Sequence, residues 1–308
     1  AAQTAEIMRR FEPVLDRERP AAVLVVGDVN STLACALVAA KKGVAVIHVE
    51  AGLRSYDRGM PEEINRVLTD QISDMLFTTE KNARDNLLRE GIAESRIHFA
   101  GNVMIDTLRH NLAKAVPAAQ TLARHGAPAD WANGGFAVLT LHRPSNVDDA
   151  GTLRSVLGAI RAVSRRIPVA FALHPRTRAK IEQHALGGML EGGAIIKLPP
   201  QGYLEMLGLM QSARLVLTDS GGIQEETTAL GIPCVTLRDN TERPITVEQG
   251  TNTIVGQDPA RILAAVDEIL DNAGKAGRIP ELWDGRASQR IASVIRDWLD
   301  AAPERRVA

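Results

Sequence analysis

Short apolar segments alternate with longer segments of helical periodicity along most of the 308-residue chain. Apolar strands followed by helices indicate βα units, and such units build a parallel sheet covered by helices on both faces. One stretch, about 108–135, is mixed and weakly patterned and contains Pro117, Pro128 and the pair Gly134-Gly135. The pattern therefore predicts two α/β, Rossmann-like domains that face a cleft and are joined by a connection at 108–135.

The alternation predicts four strands in the first half and five in the second. The first-half strands are expected at 22–26, 45–49, 75–77 and 97–100, with helices at about 4–15, 31–42, 62–73 and 80–90. The second-half strands are expected at 136–141, 169–173, 194–198, 215–217 and 234–237, with helices at 150–165, 177–184, 203–211, 258–270 and 287–299 and another that follows the strand at 215–217.

These elements set the expected domain boundaries: a first domain at 1–107, the connection at 108–135, a second domain at 136–285, and a helix at 286–308 that packs back on the first domain. The first domain opens with a helix and a strand typical of the middle of a sheet. We therefore expect it to lack the first βα units of a doubly wound domain, so that it is N-terminally incomplete.

Composition excludes several classes of function. Charged residues make up 24% and hydrophobic residues 45% of the chain, which is typical of a globular protein, and the net charge of −1 gives no reason to expect a nucleic-acid or membrane partner. The two cysteines, Cys35 and Cys234, lie in apolar segments and offer neither a disulfide framework nor a zinc site. Without a signal peptide or a long apolar run, the expected compartment is the cytoplasm.

A glycine turn joins an apolar strand to a helix in the second half. The sequence Thr218-Asp219-Ser220-Gly221-Gly222 follows the strand, and the helical pattern after it has Glu225 and Glu226 in its first turn. The N–H groups of Ser220, Gly221 and Gly222 can approach an anion at the helix N-terminus, because glycine has no Cβ. An ordinary βα turn would contain the same glycines. The carboxylate inside the helix and Arg243 after the next strand favour a nucleotide-diphosphate site.

Three loops of the first domain carry carboxylates toward one end of its sheet: Asp28 after the first strand, Glu50 at the end of the second, and Glu62 at a helix start. Each has a structural alternative. Asp28 and its neighbours are good N-cap residues, Arg54 could pair with Glu50, and a first-turn Glu62 held by Arg66 could complement the helix dipole. Carboxylates crowded in a cleft suit proton transfer near neutral pH, and we interpret their convergence as acid/base chemistry.

His142 ends the first strand of the second domain and is followed by Arg143. A single histidine at a strand end is often structural, but this one is expected to lie across the cleft from the carboxylates and to face the glycine turn of its own domain. His174 after the next strand is a weaker version of the same arrangement. No metal-ligand set is visible, and no cofactor is expected.

The motifs in this order resemble the non-hydrolysing UDP-N-acetylglucosamine 2-epimerases, a family related to GT-B glycosyltransferases. The resemblance spans nearly the whole chain and rests on these segments: Gly27-Asp28, His48-Val-Glu-Ala-Gly-Leu-Arg54, Pro61-Glu-Glu-Ile-Asn-Arg66, His142-Arg143, Thr218–Glu226 and Arg238–Pro244.

The resemblance implies a GT-B-like fold and a homodimer that converts UDP-N-acetylglucosamine to UDP-N-acetylmannosamine, with no cofactor, for surface polysaccharide synthesis. UDP is eliminated to leave a 2-acetamidoglucal and is then added back with C2 inverted. Asp28, Glu50, Glu62 and His142 are implied as catalytic. The residues implied to bind substrate are Arg66 beside a carboxylate or the sugar, Gln201 and Met206 at the uracil, Ser220, Gly221 and Gly222 at the diphosphate, Glu226 at the ribose, and Arg243 at the nucleotide.

Three departures from the family pattern leave alternatives open. The family's Gly-Thr-Arg-Pro-Glu motif does not occur, the usual His-Arg-Arg-Glu-Asn is His142-Arg-Pro-Ser-Asn146, and Ser55–Gly59 is shorter and more basic than usual. The first departure agrees with an incomplete first domain and leaves open a UDP-sugar-binding protein without activity. The other two leave open a 2-epimerase of a modified UDP-sugar, such as a diacetamido uronic acid. A GT-B glycosyltransferase is the remaining alternative.

Overall fold

Parallel strands and the helices that follow them build both halves of the chain in the computed structural model, which describes residues 1–301 apart from the side chains of residues 133 and 134. The chain divides into two units. The first unit contains Ala1–Asp106 and the segment that starts at Glu281, and the second contains Thr107–Pro280. The last part of the helix expected at 286–308, residues 302–308, lies outside the described residues.

The first unit has a four-stranded parallel sheet in the order β1-β2-β3-β4. Its strands are β1 (Ala22–Val26), β2 (Ala45–Ala51), β3 (Met75–Thr78) and β4 (Ile97–Phe99). Its helices are α1 (Ala2–Glu18), α2 (Asn30–Lys41), α3 (Pro61–Ile72), α4 (Lys81–Arg89), α5 (Val103–Asn111, which runs past the boundary in sequence) and α15 (Ala287–Asp300).

Both faces of this sheet are covered by helices, as apolar parallel strands require. On one face, α1 and α2 bury Val25 and Val46 against residues such as Leu15 and Ala36. On the other face, Ile291 and its neighbours on α15 pack against β2 and β3. The C-terminal helix therefore completes the core of the first unit.

The second unit has a six-stranded parallel sheet in the order β10-β9-β8-β5-β6-β7. Its strands are β5 (Ala137–Leu141), β6 (Val169–Leu173), β7 (Ile195–Leu198), β8 (Leu215–Thr218), β9 (Cys234–Thr236) and β10 (Asn252–Ile254). Its helices are α6 (Ala118–Arg124), α7 (Trp131–Gly134), α8 (Pro144–Val147), α9 (Ala150–Val163), α10 (Pro175–Gln183), α11 (Tyr203–Ser212), α12 (Gly221–Leu230), α13 (Pro244–Glu248) and α14 (Pro259–Asn272).

The structure confirms the α/β class and corrects two details. The second sheet has six strands rather than five, because β10 is a three-residue strand too short to show a period. The weakly patterned stretch at 108–135 contains α6 and α7, which are seven and four residues long and so display too few turns for helical periodicity.

Parallel pairing puts the carboxyl ends of all strands of one sheet at the same edge. In the first unit, that edge carries the loops after β1 and β2 and the start of α3. In the second unit, it carries the loops after β5 and β8. Each sheet therefore collects its own group of candidate residues.

Candidate functional site

Asp28 and Glu62 line one depression of about 420 Å³ at the carboxyl edge of the first sheet. Asn30 and Asn65 also line it. We call this depression the acidic pocket. Both carboxylates are half-buried, and Glu62 makes no hydrogen bond or ion pair with any residue that the structure describes. The sequence-based prediction that these two loops converge is confirmed.

The helix-capping alternative for the loop after β1 is wrong. Helix α2 begins at Asn30 after Val29, and no side chain caps its N-terminus. Thr32 donates its hydroxyl proton to the Val26 carbonyl, and Asn30 accepts a hydrogen bond from Asn65 on α3 at 3.2 Å. The polar side chains of this loop therefore fasten β1 to α3 and leave the Asp28 carboxylate in the pocket.

Glu50 is the extra residue of a β-bulge near the end of β2. The register with β3 shifts between Val49 and Ala51, and Glu50 has φ +75°, a left-handed conformation that is costly for a residue with a Cβ. A Cβ at Gly27 would lie 3.9 Å from Glu50 Oε2, so this carboxylate reaches the residue before Asp28. The bulge thus directs the third candidate carboxylate toward the loop that carries the first.

The sequence-based pairing of Arg66 with Glu62 is wrong. The guanidinium of Arg66 is buried and pairs with the carboxylate of Asp28 on one side and with Glu63, at 2.7 Å, on the other. Asn65 adds a hydrogen bond to the Asp28 carbonyl at 2.9 Å. Residues 65 and 66 of α3 therefore hold Asp28, as expected of a positioning arginine, while Glu62 has no partner among the described residues.

The pairing of Arg54 with Glu50 is also wrong. Arg54 pairs with Asp70 at 2.8 Å and with Glu90, from Nε, at 2.8 Å. His48 lies against the same carboxylate, with Nδ1 2.7 Å from Asp70 Oδ1.

Burial lowers the pKa of His48, but the hydrogen bond and charge of Asp70, the Gly27 carbonyl and the charge of Glu50 outweigh this and raise it above the ordinary value. Sequence reasoning missed Asp70. The only signal in the sequence was a polar acid in the last turn of an amphipathic helix.

In the second unit, Asp219 orients His142. Asp219 is fully buried, its carboxylate accepts hydrogen bonds from the backbone N–H of His142 and of Arg143 and from the Asn146 amide, and Oδ1 lies 2.8 Å from His142 Nδ1. Burial raises the pKa of Asp219, but the His142 ring and the backbone donors lower it below its usual value. His142 also packs against His174, with ring centroids 5.5 Å apart.

The glycine turn lies at the start of α12, as predicted. Ser220 occupies the N-cap position without a side-chain cap, which leaves the first N–H groups of the helix uncapped by Ser220. A Cβ at Gly221 would come within 2.5 Å of Glu242 Oε1, so a larger residue here would displace the Glu242 carboxylate. Gly222 follows in the same turn and is half-buried. The prediction that Glu225 and Glu226 lie in the first turn is wrong, because α12 begins at Gly221 and both fall in the second turn.

Three arginines and two glutamates form a cluster beside this turn, in which all but the half-buried Arg143 are buried. Glu242 accepts a hydrogen bond from Arg238 at 2.7 Å and lies 3.6 Å from Arg143, and Arg243 pairs with Glu225 at 2.9 Å. Burial raises the pKa of Glu242, but Arg243 and Arg238 together lower it to about 2. The cluster places three guanidinium groups beside a helix N-terminus, an arrangement suited to a phosphate.

Glu226 lies in α12 and accepts a hydrogen bond from the hydroxyl of Tyr203, at the start of α11, at 3.0 Å. Burial raises the pKa of Glu226 above its usual value. Gln201 precedes the same helix, donates to the Pro199 carbonyl and is half-buried, as is Met206 one turn later. The start of α11 and Glu226 thus form one group in the second unit, and Tyr203 is its member that sequence reasoning missed.

Within residues 1–301, no group of three or more histidine, cysteine or acidic residues is arranged to hold a metal ion. No helix in the described part of the chain has the length and apolar character needed to cross a bilayer.

Comparison with known proteins gives the chain relatives over nearly its whole length. A family model described as UDP-N-acetylglucosamine 2-epimerase matches residues 1–296. A UDP-N-acetylglucosamine 2-epimerase of Methanococcus maripaludis is 44% identical over 296 residues, which are 95% of this chain and 80% of that protein. A UDP-2,3-diacetamido-2,3-dideoxy-D-glucuronate 2-epimerase of Pseudomonas aeruginosa is 43% identical over 303 residues, which are 95% of this chain and 79% of that protein.

The crystal structure of the Methanocaldococcus jannaschii UDP-GlcNAc 2-epimerase, in complex with UDP-GlcNAc and UDP, superposes with a TM-score of 0.86 at 41% identity. It covers 96% of this chain, which in turn spans 80% of that one. The match over residues 1–296 and the identity of these relatives lead to one conclusion: this chain belongs to the UDP-N-acetylglucosamine 2-epimerase family.

Proposed function

We propose that this chain reversibly inverts C2 of UDP-N-acetylglucosamine to give UDP-N-acetylmannosamine. The observation that carries the proposal is the acidic pocket, in which Asp28 and Glu62 lie together. Family membership supplies the substrate class. A glycosyltransferase would not need carboxylates gathered for proton transfer at a sugar carbon.

The reaction divides between the two units. A carboxylate of the first unit takes the C2 proton, the C1–O bond to UDP breaks, and the electron pair of the C2–H bond forms the C1–C2 double bond of a 2-acetamidoglucal. Addition of the UDP oxygen back to C1 and of a proton to the opposite face of C2 completes the inversion. Glu62 is our candidate base, because its carboxylate makes no hydrogen bond or ion pair with the described residues whereas Asp28 is held by Arg66.

The second unit supplies the UDP clamp in this proposal. Ser220, Gly221 and Gly222 offer N–H groups to the diphosphate at the N-terminus of α12, and the charge of Arg243 and its cluster favours an anion there. Glu226 is proposed to bind the ribose, with Gln201 and Met206 at the uracil. His142, held by Asp219, is proposed to protonate or hydrogen-bond the leaving diphosphate.

Proton NMR of the chain with UDP-N-acetylglucosamine in D₂O tests the reaction. Loss of the C2 proton signal and growth of a UDP-N-acetylmannosamine anomeric signal support the proposal. Bound UDP without C2 exchange would contradict it and would favour a transferase or an inactive UDP-sugar-binding protein.

A second substrate is supported by two observations. The Pseudomonas relative named for a diacetamido glucuronate is nearly as similar as the archaeal ones, and Pro144 and Ser145 open α8 directly after His142 and Arg143. Running the same exchange experiment with the diacetamido uronic acid sugar separates the two candidates by kcat/KM.

We also propose that the chain forms a homodimer through the outer face of α3. We call this helix inverted, because its polar side is buried and its apolar side is exposed. Glu63, Asn65 and Arg66 are buried, whereas Ile64 and Leu68 are 43% and 46% exposed. An apolar stripe on the outside of a helix is typical of a surface covered in an assembly.

Leu68→Glu should therefore yield monomers in light-scattering chromatography. The matched change in α15, Leu299→Glu, also at an exposed position, should not. A monomeric wild type would contradict the proposal.

The cytoplasmic location and the role in polysaccharide synthesis stay predictions.

A further inference from the structure

His48 is fully buried and has a hydrogen-bond partner on each ring nitrogen. Nδ1 lies 2.7 Å from Asp70 Oδ1, and Nε2 lies 2.9 Å from the Gly27 carbonyl oxygen. A carbonyl oxygen can only accept hydrogen bonds, and the same holds for an ionised carboxylate. If Asp70 is ionised, both ring nitrogens must carry protons and the ring is a cation.

The surroundings of Asp70 present hydrogen-bond donors and a positive charge to its carboxylate. Its second oxygen, Oδ2, accepts from the Gly52 N–H at 3.1 Å and lies 2.8 Å from the guanidinium of Arg54, which is always charged. Arg54 is in turn paired with Glu90 after α4. His48, Arg54, Asp70 and Glu90 thus form a set of two positive and two negative groups, of which only Glu90 is partly exposed.

We propose that His48 is a permanently protonated positioning residue that fixes the loop carrying Asp28. The peptide groups around Gly27 are held from both sides, because the Gly27 N–H donates to the Val49 carbonyl at 3.0 Å and the Gly27 carbonyl accepts from His48. Gly27 has φ +70°, and Asp28 follows directly. The neighbouring charged groups that face the ring are Asp70 on α3, Arg54 after β2, and Glu50 on β2.

This inference deepens the proposed function and rests on it where it concerns catalysis, but the protonation state of His48 does not depend on that function. Long-range ¹H–¹⁵N NMR of histidine-labelled protein measures the state directly, with His48→Gln used to assign the signal. We expect both His48 nitrogens to stay protonated up to alkaline pH. One unprotonated nitrogen at neutral pH would overturn the proposal.

The positioning role is tested with the same variant. His48→Gln should reduce kcat for C2 exchange by about 10- to 100-fold with little change in KM, the loss typical of removing a group that orients a functional side chain. The Asp28 amide resonance should shift in the same variant. The matched control is His98→Gln, which changes a half-buried histidine on β4 and should leave kcat and the Asp28 resonance unchanged.

The outcomes separate the two proposals. If the wild type shows no exchange, the proposed function fails, while the ring-nitrogen signals and the Asp28 resonance still decide the role of His48. If the wild type is active and His48→Gln retains its kcat and its Asp28 resonance, the positioning role is wrong and the proposed function stands. Circular dichroism of each variant checks that a loss of kcat exceeds any loss of folded protein.

Discussion

Each of the two units holds a histidine against a buried aspartate through Nδ1. The two histidines differ in the surroundings of their other ring nitrogen, Nε2. His48 lies 2.7 Å from Asp70, is fully buried and is closed off at Nε2 by the Gly27 carbonyl. His142 lies 2.8 Å from Asp219, its side chain is 37% exposed, and its Nε2 bonds to none of the described residues. The same pair therefore builds a fixed cation in one unit and, in our proposal, a group that meets the substrate in the other.

The largest effect is expected from breaking the pair of the second unit. Asp219→Asn places an amide N–H₂ where the His142 and Arg143 backbone N–H groups and Asn146 need an acceptor, so the domain should lose about 2–4 kcal/mol in its free energy of unfolding. Exchange should fall at least about 100-fold, because His142 loses its orienting partner. Urea denaturation and C2 exchange measure the two effects.

Asp130→Asn is the matched control, because Asp130 is exposed and its side chain does not cap α7. Stability and exchange should both be unchanged in this variant. Wild-type exchange by Asp219→Asn would show that His142 needs no orienting partner.

A smaller effect, and one that depends on pH, is expected from the pair of the first unit. The raised pKa of His48 stabilises the fold fully below the unfolded value of about 6.5, and this contribution is lost as pH rises toward the folded value. The stability difference between wild type and His48→Gln should therefore shrink above pH 6.5, by up to about 1.4 kcal/mol per pH unit. Urea denaturation from pH 5 to 9 measures it.

His98→Gln provides the opposite case. Burial lowers the pKa of His98, so protonation of the unfolded chain destabilises the wild type below pH 6.5 and has no such effect above it. The two variants should differ from wild type in pH dependence on opposite sides of this value. A difference for His48→Gln that does not change with pH would contradict a buried cation.

The smallest effect concerns the bulge that carries Glu50. Both Glu50→Gly and Glu50→Ala remove the carboxylate, but only glycine adopts φ +75° without strain. Glu50→Gly should therefore be more stable than Glu50→Ala by roughly 1 kcal/mol in thermal denaturation. Equal stability would show that the strain at this position is relieved on mutation.

Sequence periodicity predicted most of the fold because strands such as β1 and β6 are apolar and their flanking helices are amphipathic. It also predicted that Asp28 and Glu62 lie close together, because in a parallel sheet the loops that carry them meet at the same edge. It failed for the ion pairs. The sequence pattern pairs Arg54 and Arg66 with acids close to them in sequence. In the structure, Arg54 reaches Glu90, 36 residues away, and Arg66 reaches Asp28, 38 residues away.

The inverted helix α3 shows why such partners are hidden. Its buried side is polar because it supplies Glu63, Arg66 and Asp70 to the charged network. These residues can be assigned to ion pairs only when it is known which face of the helix meets the sheet. Periodicity shows that a helix has two faces but favours the apolar one for burial. A helix that uses its polar face for a site therefore misleads pattern analysis where function is concentrated.

The division of labour between the units is tested most directly by a crossed experiment on Glu62→Gln and Glu226→Ala. C2 exchange by NMR and UDP affinity by calorimetry are measured on both variants, with Glu18→Gln and Glu182→Ala as exposed controls in the first and second units. We expect Glu62→Gln to lose exchange by at least about 100-fold with unchanged UDP affinity, and Glu226→Ala to bind UDP about tenfold more weakly. Retained exchange in Glu62→Gln, or unchanged UDP affinity in Glu226→Ala, would contradict the account.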